Sequence, residues 1–457
     1  MQVISIRAYS VLDKSIQMSH FRWPTVATFL LCAAFLAVTA SPSGSLYYAA
    51  FTLYIVFSLA AIIVCIFCDF SHALTWLAVL IAYEPITKEL LVDLGGSFTM
   101  YTITLCMGLL ALRRPRFNIL ALLMLLICIV FAYHAVSFVL YNGITFSMLA
   151  SKDYRVLVYL PTLYLGGCFT TIVFSSWNPD RHQFMYFTFT TVMSLAATIL
   201  VCFVWQFYID SFQLLDVLRD WRFDFIGDVG ANSTGLYLLV TITLLLVYSV
   251  GYPRNVTYAA IITAVCVLVL TRSRYQIFFM LTFLPFVFYL LYPTKKRIFV
   301  LLSMSNLLII VFIFLNPDFM DFLGSLLRVN DEYIGMFDRG YIWILCLKLF
   351  QDNPIFGVDY FHCVDFVAHT PHNPHIGLMA YTGIVGGGSF LVVTIIIFRR
   401  IYTSWNQIDP IHKAISLVSI ATIIGSMTVD IWYYWYFFFF FFGLIKVHTA
   451  PIDRKGS

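Results

Sequence analysis

Charge is what this chain has least of. Only 11% of its 457 residues are Asp, Glu, Lys or Arg, against about 25% in a soluble domain. Hydrophobic residues make up 61%, and the mean hydropathy is +0.89. So few charges cannot solvate the outside of a water-soluble fold of this length. Other absences narrow the field further. No Cys/His spacing of the metal-binding kind occurs, no P-loop or dinucleotide fingerprint, and no repeat of fixed period. A net charge of +4 without a polybasic run gives nucleic acid nothing to bind. The ten cysteines lie mostly within apolar runs, where they behave as small hydrophobes. Cys346 and Cys363 fall instead in a long polar stretch; they could pair, but nothing in the sequence requires it.

What is present is a succession of apolar runs close to the roughly 20 residues needed to cross a bilayer. Helices satisfy their own backbone hydrogen bonds in lipid, and these runs are too long and continuous for barrel strands. The expected fold is therefore an all-α, polytopic transmembrane bundle. The runs fall at 25–40, 46–68, 72–92, 96–112, 117–140, 156–176, 184–209, 232–251, 256–271, 275–293, 298–316, 375–398, 413–429 and 431–446. Fourteen spans are favoured. Twelve result if the third merges with the fourth, where Glu84, Lys88, Glu89 and Asp93 interrupt the pattern, and the last two merge with each other. The domain plan is an N-terminal segment 1–24, spans 1–11 over 25–316, a large loop over 317–374, spans 12–14 over 375–446, and a tail 447–457. The first apolar run lacks a small-residue cleavage site and reads as a signal anchor.

Positive charge orients the bundle. With the N-terminus inside, 17 of the 27 basic residues fall on the cytoplasmic side, among them Arg113-Arg114-Pro115-Arg116 and Lys295-Lys296-Arg297. Both termini are then cytoplasmic. The outer side keeps Lys88, Lys152, Arg155, Arg219, Arg222, Arg272, Arg274, Arg328, Arg339 and Lys348. Arginine near a membrane boundary is expensive and usually has a partner. Its planar fork of donors suits phosphate oxygens, so such a group could hold a diphosphate without a metal. Snorkelling, or pairing with Asp216, Asp220, Asp224, Asp228, Asp331 or Asp338, accounts equally well for any single one of these arginines. For Arg272 and Arg274, which flank Ser273 in a tight corner between two apolar runs, the functional reading is favoured.

Within the large loop, 338–350 reads as an amphipathic helix lying along the membrane surface, stopped at Asp352-Asn353-Pro354 and followed by Gly357. The loop ends in His369-Thr370-Pro371-His372-Asn373-Pro374-His375. Asn373 suits an N-cap and Pro374 a first helical position. His372 then stands beside the positive end of a helix dipole and can exchange protons near neutral pH. His362, His369 and His375 fit plain interfacial hydrogen bonding as well as a direct role.

His372-Asn373, nine residues, then Gly383-Ile384-Val385-Gly386 resembles the H-N-x9-G-x-x-G signature of the bacterial O-antigen ligase and O-antigen polymerase superfamily. Thr271-Arg272-Ser273-Arg274 resembles that family's Thr-x-(Ser/Thr)-Arg corner between two spans. Arg339, Trp343, Pro354 and Gly357 resemble the R-x3-W … P-x2-G pattern of its periplasmic loop. Arg222 followed by Asn232 resembles its arginine-then-asparagine entry to an earlier span, with Arg219 a rival for the arginine. Together these cover roughly 219–400, and the N-terminal third matches nothing.

The resemblance implies a multi-pass glycosyltransferase of the bacterial inner membrane, independent of metals and cofactors, with a periplasmic active site. Its donor would be a glycan on undecaprenyl diphosphate. Its acceptor would be a lipid A-core sugar for a ligase, the favoured reading, or a second lipid-linked glycan for an O-antigen or capsular polymerase. Membrane lipid, and no nucleic acid, completes the expected partners. The residues then divide into His372 as general base, Asn373 orienting it, and Arg272, Arg274, Arg339 and Arg222 binding the diphosphate. A small-anion transporter, with Glu84, Lys88, Glu89 and Asp93 marking its path, is the alternative of a different class. Against it, no paired broken helices are visible in the sequence.

Overall fold

The computed structural model describes residues 22–40, 45–90, 98–149, 154–209, 230–251, 255–271, 273, a scatter of positions between 276 and 304, 336–367, 370–405, 410–428 and 434–447. Among these the fold is all helical, without a strand. The helices are α1 (Arg22–Ala40), α2 (Ser45–Phe67), α3 (Phe70–Leu90), α4 (Phe98–Arg113), α5 (Ile119–Asn142), α6 (Arg155–Ser176), α7 (Arg181–Ile209), α8 (Gly230–Gly251) and α9 (Asn255–Leu270). After them come α10 (Met336–Asp352), α11 (Tyr360–Val367), α12 (Pro374–Gly383), α13 (Ser389–Trp405), α14 (Pro410–Gly425) and α15 (Tyr434–Phe440). The third and fourth apolar runs are thus separate helices, α3 and α4. The runs expected over 275–293 and 298–316 lie almost wholly outside the described residues.

Five stretches are long and apolar enough to cross a membrane: Tyr48–Phe67, Ile119–Asn142, Arg155–Ser176, Arg181–Val204 and Pro374–Thr403. Their outward faces suit lipid. On α5, for example, Leu122, Ile129, Val136 and Leu140 are exposed while Leu120, Met124, Ile127 and Phe131 are buried. By length and composition these helices suit a helical membrane protein.

Helices α3, α4, α6, α5, α13, α14, α8 and α7 pack each against the next, and α7 returns to α3. This ring encloses α15, whose residues Tyr434–Phe440 are all buried and which packs on α3, α6 and α14. A helix of seven residues is only about 10 Å long, so α15 starts inside the bundle with its first N–H groups cut off from water. Glu84 on α3 supplies the acceptors. Its Oε1 accepts from the Tyr434 N–H at 2.7 Å and its Oε2 from the Trp435 N–H at 2.8 Å. A carboxylate at a helix N-terminus also meets the positive end of the dipole. The Tyr434 hydroxyl donates to the Gly166 carbonyl at 3.0 Å and pairs with Thr170 Oγ1 at 2.5 Å. Gly166 is required there because a Cβ would enter the Tyr434 ring. Beside Glu84, Pro85 interrupts the α3 ladder, and one turn away the Ala82 carbonyl accepts from Thr198 Oγ1 and the Tyr237 hydroxyl at 2.8 and 2.6 Å.

Glu84 is therefore a cap buried in the core of the bundle, and its loss strands two buried donors. A hydrogen bond to a charged group contributes about 1.5–3 kcal/mol. Glu84→Ala should lower the thermal midpoint of the detergent-solubilised protein by many degrees, with Glu84→Gln between it and wild type. An unchanged midpoint in Glu84→Ala would show that α15 does not depend on this cap.

Candidate active site

The loop helix expected over 338–350 is α10, and it ends at Asp352 as the stop signal implies. The turn that follows, 354–357, docks on the start of the last long apolar stretch. That stretch is not one straight helix: α12 stops at Gly383, which adopts φ +60, and a π-helical turn, Ile384–Gly388, leads into α13. The break frees backbone groups, and the loop takes them up. The Ile384 N–H donates to the Pro354 carbonyl at 2.8 Å, Val385 N–H to Ile355 at 3.2 Å, and Val358 N–H returns a bond to Ala380 at 2.9 Å. Gly357 (φ +67) and Gly383 lie backbone against backbone. A Cβ on Gly357 would stand 2.6 Å from the Gly383 nitrogen, and one on Gly383 2.6 Å from the Gly357 nitrogen. Both have left-handed backbones, which glycine adopts without penalty. Gly386 and Gly387 then let the π turn pass close to Thr382 and Met379.

The histidine corner hangs on the same assembly. Trp343 of α10 donates from Nε1 to the Pro371 carbonyl at 2.9 Å, and Pro371 packs against Gly377 of α12. His372 follows, half-buried, with φ +50; it is the one non-glycine residue with positive φ among the described residues. Left-handed backbone costs a β-carbon residue roughly 1–2 kcal/mol, a strain that concentrates at functional sites. Asn373 is the N-cap of α12, its Oδ1 accepting from the His375 and Ile376 N–H groups at 3.0 and 3.2 Å, with Pro374 at the first helical position. That oxygen is committed to the helix. Beside the corner, a cavity of ≈ 40 Å³ is walled by Phe131, Tyr164, Tyr360, Tyr381 and Asn373. It has room for water rather than for a sugar ring.

The arginine corner is described only through its neighbours. Gly235, in the first turns of α8, lies against Ser273 and Gln276, with a would-be Cβ 3.1 Å from Ser273 Cβ. Thr271 Oγ1 accepts from the Ser273 N–H at 3.2 Å, and Gln276 Nε2 donates to the Gly425 carbonyl at 2.9 Å. The turn after α14, Ser426–Thr428, packs on both α8 and α12. Ring contacts run from His375 to Phe390 (5.1 Å), Phe390 to Phe440 (5.4 Å) and Phe440 to Tyr436 (5.5 Å), whose hydroxyl meets Ser426 Oγ at 3.1 Å. The two corners are thus tied through one packed path.

Of the site residues expected from sequence, His372 and Asn373 stand together at the head of α12. Arg339 lies in the first turn of α10, one turn before Trp343, and its side chain lies outside the described residues, as do Arg272, Arg274, Arg222 and His369. The pieces of the resemblance that the structure brings together are Pro354 with Ile384 and Gly357 with Gly383, while Trp343 holds Pro371 beside His372; Ser273 of the arginine corner packs on Gly235. Sequence reasoning missed His134, on α5, whose Nε2 hydrogen-bonds to the Phe356 carbonyl at 2.8 Å and helps seat the turn. It also missed Glu84 as a cap; the only sign was a carboxylate at the edge of the charged group Glu84, Lys88, Glu89 and Asp93. No protein-family model matches the chain, and no curated protein sequence matches it either.

Two glycines of one loop should respond oppositely to alanine. Gly340, inside α10 with open space around its Cβ position, should gain about 0.5–1 kcal/mol as Gly340→Ala. Gly357→Ala should undock the turn, lowering the thermal midpoint and admitting protease at 354–367. Equal behaviour of the two variants in melting and limited proteolysis would refute the docking geometry.

Proposed function

We propose that this protein is a membrane glycosyltransferase of the O-antigen ligase kind, moving a glycan from undecaprenyl diphosphate to a sugar hydroxyl at the periplasmic face of a bacterial inner membrane. One observation carries the reading: the separate pieces of sequence that resemble the family's signature meet in three dimensions. Trp343 is bonded to the residue before His372, Pro354 accepts from the Ile384 N–H, and Gly357 is locked against Gly383.

The chemistry is an attack by an acceptor hydroxyl oxygen on the anomeric carbon. The bond from that carbon to the diphosphate breaks, undecaprenyl diphosphate leaves, and the hydroxyl proton passes to a base. His372 is that base, presented by a strained backbone at the positive end of α12, with Asn373 holding the helix start in place. General-base catalysis is worth roughly 10²–10⁴-fold. Arg272, Arg274, Arg339 and Arg222 hold the diphosphate and offset its growing charge; grooves between spans take the polyprenyl chain.

A small-anion transporter is the second reading, and the broken helices favour it. No pattern in the sequence announced them, yet α12 ends at Gly383 and α15 begins inside the bundle, and transporters use such half-helices to face ions. Here, however, the α15 N-terminus already holds the Glu84 carboxylate, and the N–H groups freed at Gly383 are taken by loop carbonyls.

The test is the surface polysaccharide of a deletion strain complemented with wild type, His372→Ala or Arg274→Ala. A ligase deletion leaves lipid A-core bare while polymer persists on the carrier lipid, and His372→Ala restores under one hundredth of wild-type transfer. Core bearing a single repeat unit identifies a polymerase. Full complementation by both variants would sink glycosyl transfer and leave anion transport.

A further inference from the structure

Cys346 and Cys363 meet inside the loop. Both are fully buried (0% exposed) in one small apolar cluster with Ile342 and Leu349 of α10, Val367 of α11 and Ala380 of α12. Their thiols are hydrogen-bonding neighbours, and that contact, followed by burial, pushes the Cys363 thiol above its ordinary range. The two residues bracket the turn that docks on Gly383. Cys346 also lies one turn beyond Trp343, which holds the Pro371 carbonyl. A bond between them would pin α10 to α11 and fix both ends of the segment on which the His372 corner rests.

We infer that Cys346 and Cys363 form a structural disulfide in the mature protein. This goes beyond the proposed activity but rests on its placement of the loop at the outer, oxidising face. The bond forms by exchange. One thiolate attacks the disulfide of a thiol–disulfide oxidoreductase, the second thiolate displaces it, the two thiol protons pass to the oxidoreductase sulfurs, and the oxidoreductase leaves reduced as its dithiol. Burial and a raised thiol pKa make exchange slow in the folded loop, so closure precedes packing of α11. Once closed, the bond lies in an apolar core that reductants reach only when the loop opens.

A second buried thiol pair serves as an internal control. Cys65 and Cys106, on α2 and α4, are also hydrogen-bonding neighbours, and the Cys65 carbonyl accepts from Arg113 at 2.9 Å, in the basic cluster assigned to the cytoplasmic side. That pair should stay reduced.

The test is thiol trapping of the full-length protein in freshly isolated membranes, by alkylation in denaturant with and without prior reduction, followed by peptide mass spectrometry. The expected result is a linked 346–363 peptide, two hydrogens lighter than its parts, beside alkylated Cys65 and Cys106. Dithiothreitol should cleave it in denaturant and leave it intact in the folded protein. Cys346→Ala, Cys363→Ala and the double variant should each lose the same several degrees of thermal midpoint, because either change removes the whole bond. Alkylation of both loop thiols without reduction overturns the inference. A reporter inserted after Gln351 then tells the two readings apart. Outside activity means that the disulfide alone is wrong; inside activity means that the outer placement of the loop falls as well. A double variant that melts lower than both single variants together would also overturn it.

Discussion

In a bilayer, a backbone N–H without an acceptor has no water to turn to, and each one costs several kcal/mol. The break at Gly383 creates this problem within an apolar stretch, and the carbonyls of Pro354 and Ile355 solve it. Everything at the candidate site depends on that exchange. It fixes where the loop lies, sets α10 against α12, brings Trp343 to the Pro371 carbonyl, and leaves His372 in a backbone conformation that an isolated chain would avoid. The loop is less a covering over the bundle than the missing part of one of its helices.

The same problem recurs at α15 with a different solution. There a side chain rather than a loop supplies the acceptors, since Glu84 reaches from α3 to the first two N–H groups. The two devices differ in consequence. A carboxylate cap is local and charged, and it ties two sequence-distant helices together at one point in the core. A carbonyl cap is neutral, and it couples the membrane segment to a folded element outside it.

Much of this was legible in the sequence. The apolar runs marked the described helices to within a few residues, because burial in lipid demands long uninterrupted hydrophobic stretches. The loop helix announced itself through Asp352-Asn353-Pro354, and the start of α12 through Asn373-Pro374, since stop and cap signals are local chemistry. The break at Gly383 was not legible. Glycines in a span read equally as a packing face, and only the contact with Gly357, 26 positions earlier, gives Gly383 its left-handed backbone. Glu84 misled for a related reason: its partners are backbone donors some 350 residues away, which no local pattern encodes. The arginines of the resemblance, Arg272, Arg274 and Arg222, gain nothing from the described residues beyond the packing of Ser273 on Gly235.

The broken helix also dictates an order of assembly. To the insertion machinery, 374–403 is one hydrophobic segment of 30 residues, long enough to enter the bilayer as a straight rod. The carbonyls that compensate a break at Gly383 belong to a loop synthesised just before it, and they are in place only once α10 and α11 have folded. The bend at Gly383 is therefore compensated only after the lobe of α10 and α11 has folded, so a straight rod is the form this segment can take before that.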